Sequence, residues 1–255
     1  MYHKKGDCQV FSEKTVIGRA HRKKVKQNPK KKRFRRRRVG ALLTLASTLP
    51  IWYTVPDQYG GDCMKALGNL PEGYREIYAV DLQKNKKLSV AVNLLAIGIA
   101  AVLVVVMQCF VPITSLFDTE DDLRGYLIRM GALLVLMVVY MILHELVHGI
   151  AMKMCGTKKV KYGFTGLYAF AGSADFYDKR SYIFIALAPV VLWGVILAVI
   201  NAFVPAAWFW VVYFIQIINL SGAAGDLFVT VKFSRLPSDI LVQDSGVGMK
   251  VYSRE

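Results

Sequence analysis

The chain has 255 residues, 55% of them hydrophobic, with a mean hydropathy of +0.37. That excludes an ordinary soluble domain and points to a multi-pass membrane protein. The net charge of +15 is confined to one end, with +14 from residues 1–38 and +1 from the remainder. Cys8, Cys63, Cys109 and Cys155 are far apart and have no C-x-x-C spacing, which excludes a zinc knuckle and a disulfide framework.

Residues 1–38 form a polar basic tail that ends in the run Lys30 to Arg38, interrupted only by Phe34. Like-charge blocks stay unfolded and adhere to anionic surfaces. With no fold around it, the run reads as a juxtamembrane contact with anionic lipid rather than with nucleic acid. Residues 39–55 are an apolar run broken by Pro50, slightly short for a span of ~20 residues. They read as an interfacial segment, a signal-like apolar region or an extra helix. Met64 offers a second start. The expected division is therefore an extension at 1–63 and a membrane-embedded domain at 64–255.

Residues 64–87 are soluble in character and end in Lys84, Lys86 and Lys87. Four apolar spans follow at about 89–111, 127–151, 183–203 and 207–231, each long enough to cross hydrocarbon. The expected fold class is an all-α polytopic membrane protein with about four transmembrane helices. Between the second and third spans, residues 160–176 are rich in Tyr, Phe and Gly and predict a short β-hairpin beside the membrane. Lysines flank the first span and crowd the 152–182 loop, whereas Asp118, Glu120, Asp121 and Asp122 fill the loop after the first span. The positive-inside rule then places the C-terminus and the site described next on the cytoplasmic side of the cell membrane.

That site is His144-Glu145-Leu146-Val147-His148, near the end of the second span. On a helix, residues four apart share a face, so both imidazoles can reach one metal ion. Glu145 can reach a water on that ion as general base. Three ionisable side chains within five residues of an apolar span call for a function. A zinc site needs a third ligand, and the other histidines, His3 and His21, lie in the tail. The best candidate is Asp226, the one acid within spans three and four; Asp175, Asp178, Asp239 and Asp244 read as solvated loop acids, and Cys155 as a bystander. His144 and His148 lie 17 and 21 residues past Leu127, and Asp226 lies 19 past Ala207, so the three share a depth. Gly222 and Gly225 allow close helix approach or a local break that aims the carboxylate inward. Asn219, on roughly the same face, is a candidate donor to a developing oxyanion, or else helix–helix glue. Pro189 reads as a kink in the third span.

His144-Glu145-Leu146-Val147-His148-Gly149, then Ala186-Leu187-Ala188-Pro189, then Asn219 to Asp226, resemble the zincin peptidase family of small multi-pass bacterial membrane proteins. These are similar to site-2-protease-type intramembrane zinc metalloproteases, in which H-E-x-x-H and a later Asn…Asp-Gly segment supply the zinc site. Here Leu227 follows Asp226, and no proline lies between Asn219 and Asp226. The resemblance covers about residues 70–250. It implies Zn²⁺ held by His144, His148 and Asp226, with Glu145 as catalytic base and Asn219 assisting. The expected activity is hydrolysis of membrane-bound or membrane-spanning peptides through a zinc-activated water. The competing reading is a non-proteolytic membrane protein, for metal binding, transport or scaffolding. Spans one and three offer a transport path almost no polar residues.

Overall fold

The computed structural model describes residues 66–81, 83–117, 122–166 and 168–254. The basic extension at 1–63 with its 39–55 run, and the loop acids Asp118, Glu120 and Asp121, lie outside the described residues. Four helical stretches are long and apolar enough to cross a membrane, at Lys86–Gln108, Leu123–Met154, Lys179–Phe203 and Ala206–Ser234. The first three are single helices: α1 (Lys86–Gln108), α2 (Asp122–Met154) and α3 (Lys179–Phe203). Polar caps set two of their starts. Asn85 Oδ1 accepts from the Leu88 N–H at 3.1 Å, and Asp178 accepts from the Arg180 N–H at 2.9 Å. α3 stops where Pro205 forces Val204 into an extended conformation (ψ 150°). Leu94, Leu134 and Val191 are each at least 60% exposed. Apolar faces of this extent suit lipid better than water.

The fourth stretch, expected at 207–231, has the local break that Gly222 and Gly225 allow. A short 3-10 turn leads into α4 (Phe209–Gly222), and the chain breaks at Ala223 (φ −80°, ψ 15°) before α5 (Ala224–Ser234). Small residues from Ser221 to Gly225 permit the turn. The break puts Asp226 in the first turn of α5. There the unpaired N–H groups and the positive end of the helix favour a carboxylate.

The all-α expectation needs correction. β1 (Tyr74–Val80), β4 (Phe176–Asp178), β5 (Leu241–Asp244) and β6 (Met249–Arg254) form an antiparallel sheet in the order β1-β6-β5-β4. It joins the two ends of the described chain, with Tyr74 opposite Arg254. β4 and β5 have three and four residues, too few for a period-two pattern to stand out in sequence. The expected hairpin is present as β2 (Lys161–Phe164) paired with β3 (Ala169–Gly172).

Two apolar cores sit at opposite ends of the helices. One joins the end of α2 (Ala151, Met152), the start of α3 (Tyr182, Ile185), the end of α5 (Val229, Phe233) and the sheet (Tyr177, Val242, Val251). The other joins the end of α1 (Met107) and Val111 to the start of α4 (Phe209, Trp210, Tyr213).

Candidate metal centre

His144 and His148 lie one turn apart on α2, their ring centroids 4.9 Å from each other. The break at Ala223 delivers Asp226 to the same place. Its Oδ2 is 3.7 Å from His144 Nε2 and 3.6 Å from His148 Nε2. Two ligands ~2.0–2.1 Å from one tetrahedral ion stand roughly 3.3–3.4 Å apart, so each imidazole–carboxylate pair is within a few tenths of an ångström of the spacing zinc requires. Among the described residues, His144, Glu145 and His148 also offer ligand atoms within 4.8 Å of one another.

Hydrogen bonds fix which nitrogen of each ring faces Asp226. His148 Nδ1 lies 2.9 Å from the Ile185 carbonyl oxygen. A carbonyl only accepts, so Nδ1 carries a proton, and in the neutral ring Nε2 then keeps its lone pair. His144 Nδ1 lies 2.7 Å from the Tyr140 hydroxyl. That hydroxyl gives its single proton to Asn219 Oδ1 at 2.7 Å, so the His144 Nδ1–H is the donor to Tyr140. Asn219 in turn donates from Nδ2 to the Val190 carbonyl at 3.1 Å, which sets the orientation of its amide. Both Nε2 lone pairs therefore point where a metal would sit, held by outer partners as in known metal sites.

Asn219 has a different place from the one expected of an oxyanion donor. It is fully buried (0% exposed) behind Tyr140, both ends of its amide are engaged, and it does not line the cavity. It serves His144 through Tyr140. Tyr140 escaped the sequence reading, although its position four residues before His144 places it on the same helical face.

A cavity of about 590 Å³ opens in front of these groups, with His144, Glu145, His148 and Asp226 on its wall. Met137, Met141, Phe170 and Met249 give it an apolar side. β3 forms another side. It pairs only with β2 among the described residues, and the Ala171 backbone N–H is within hydrogen-bonding reach of Glu145. The hairpin can approach because residue 149 is glycine, since a Cβ there would collide with the Tyr162 ring.

Of the other acids considered as third ligand, Asp244 alone lines the cavity. Its carboxylate accepts from the Tyr182 hydroxyl at 2.9 Å and from the Gly246 N–H at 2.8 Å, and burial pushes its carboxyl above the usual range. Asp178 is spent as the cap of α3, and Asp239 accepts from Ser253 Oγ and the Arg254 N–H. Asp175 is not on the cavity wall, and Cys155 is buried in the core beside the sheet.

The chain is 30% identical over 138 residues to a curated protein of Pyrococcus woesei, "Uncharacterized 24.7 kDa protein in gap 5'region". The alignment takes in 52% of this chain and 57% of that protein, so the chain spans little more than half the length of the relative it matches. No solved structure matches. Residues 137–241, which carry His144, Glu145, His148, Asn219 and Asp226, match the model of the family described as "Putative zincin peptidase".

Proposed function

We propose that the protein is a membrane-embedded zinc metallopeptidase acting on membrane-bound or membrane-spanning substrates. The observation that carries this reading is one carboxylate oxygen 3.6–3.7 Å from two imidazole Nε2 atoms whose Nδ1 atoms are both engaged elsewhere. His144, His148 and Asp226 would hold the zinc. Two imidazoles and a carboxylate are the donor set of hydrolytic zinc sites, which leave a fourth position open. When bound, the ion lowers the pKa of a water and polarises a carbonyl.

Glu145, on the cavity wall beside His144, takes the proton of the attacking water and passes it to the departing amine. The unpaired edge of β3 receives an extended substrate as an added strand, so main-chain hydrogen bonds set its register past Glu145. The apolar cavity wall suits the side chains of a segment drawn from the bilayer. The lysines before α1 and in the 152–182 loop favour a cytoplasmic sheet end, from which water reaches the site, and the basic tail binds anionic lipid.

The test is zinc content, together with cleavage of transmembrane reporter peptides, in purified wild type, His148→Ala, Asp226→Ala and Glu145→Ala. The reading expects about one zinc per chain, lost in the two ligand variants and kept in Glu145→Ala, with cleavage lost in all three. A wild type without zinc, or a Glu145→Ala protein that cleaves like the wild type, overturns it.

A further inference from the structure

Pro189 stands inside α3, in its buried face and four residues after Ile185. In an uninterrupted α-helix the N–H of each residue bonds the carbonyl four positions earlier. Proline has no N–H, so the Ile185 carbonyl lacks its intrahelical donor. Ile185 is 1% exposed, which keeps solvent from replacing that donor. The same carbonyl oxygen is the one that accepts the His148 Nδ1–H at 2.9 Å.

We propose that Pro189 is a positioning residue of the metal centre. By withholding one backbone N–H it keeps the Ile185 carbonyl open for His148. This holds the ring with Nδ1 protonated and Nε2 turned to Asp226. From the sequence Pro189 reads only as a kink; the freed carbonyl gives it a use. The two histidines are thus held by different devices, His144 by a side-chain relay from Asn219 through Tyr140 and His148 by main chain. Any other residue at 189 supplies a donor that competes with the imidazole for Ile185. The role in metal binding rests on the zinc reading above.

The experiment compares the full-length wild type with Pro189→Ala and Pro189→Gly in detergent. One readout is the ¹⁵N NMR spectrum of the histidine rings in metal-free protein, at a pH where the rings are neutral, with His148 assigned by its absence in His148→Ala. The other is zinc affinity by competition with a chelator. Wild type should show a single Nδ1–H tautomer at His148. Both variants should lose that preference and bind zinc ~10–100-fold more weakly, the usual cost of removing an outer partner of a ligand. Pro189→Ala should do so while melting at a higher temperature, because alanine favours the helix that proline interrupts. Wild-type tautomer and affinity in both variants would overturn the proposal. So would a loss confined to Pro189→Ala, since glycine restores the same N–H while tolerating a bend. A wild type that binds no zinc refutes the metal reading, and the tautomer comparison still decides the role of Pro189.

Discussion

The two ends of the helical bundle are built differently. At the end away from the sheet, Phe209, Trp210 and Tyr213 interlock with Met107 and Val111, and the two polar tips are tied to backbone: Trp210 Nε1 to the Pro112 carbonyl at 3.0 Å, and the Tyr213 hydroxyl to the Leu103 carbonyl at 3.1 Å. At the sheet end the helices part around a cavity, and imidazole, hydroxyl, amide and carboxylate groups are joined in hydrogen-bonded chains. In the membrane reading proposed above, helices gain little from hydrophobic burial against each other, so close packing and hydrogen bonds hold them. Both ends are packed, and the sheet end adds the hydrogen-bonded chains to its own apolar core. A change in the aromatic cluster away from the sheet should therefore alter stability without chemistry, and a change in the hydrogen-bonded groups facing the cavity should alter the chemistry.

The largest expected effect is at the open end. His148→Ala or Asp226→Ala should abolish zinc binding in metal analysis, and with it the rise in melting temperature on adding zinc, because either removes one of three ligands. Next comes Glu145→Gln, which should lower peptide hydrolysis by ~10²–10⁴-fold, the usual contribution of a general base, while zinc content stays at the wild-type level. The packed end supplies the contrast. Trp210→Ala should cost about 3–5 kcal/mol in unfolding measurements, the range for truncating a buried aromatic, and leave zinc affinity unchanged. A loss of zinc affinity in that variant would show that the two ends are coupled and would break the comparison.

Tyr140→Phe should be milder. It removes the hydroxyl that accepts from His144 and donates to Asn219, so chelator competition should show zinc held ~10–100-fold more weakly with the fold retained. Asn219→Ala should act in the same direction through the same tyrosine, and the double variant should add little to either single change.

The smallest effect concerns Asp244. Burial raises its carboxyl above the ordinary value of 3.8, so the folded chain holds a proton that the unfolded chain has already released. Stability should then fall as pH rises from about 4 through the raised value, because the unfolded state binds fewer protons in that window. Asp244→Asn should flatten that part of the thermal-stability profile. An unchanged slope would remove Asp244 as its source.

How much of this the sequence carried depends on the range of each interaction. The presence of four long apolar stretches, the hairpin at 160–176 and the facing of His144 and His148 rest on patterns within a few residues, and the structure has these, with the fourth stretch broken at Ala223. The four-stranded sheet was missed because β4 and β5 have only three and four residues and β1 pairs with β6 across nearly the whole described chain. Asp226 could be picked out as the one acid in the later spans, but only the break at Ala223 and the packing of α5 on α3 bring it beside the imidazoles. Tyr140, Asn219 and the Ile185 carbonyl acquire their roles from contacts between α2, α3 and α4, which no local spacing encodes. The sequence by itself determined that His144 and His148 share one helical face, because helical geometry ties i to i+4. Tertiary structure alone decided which ring nitrogens face Asp226, because a hydrogen bond fixes a tautomer only once its partner from another helix is in place.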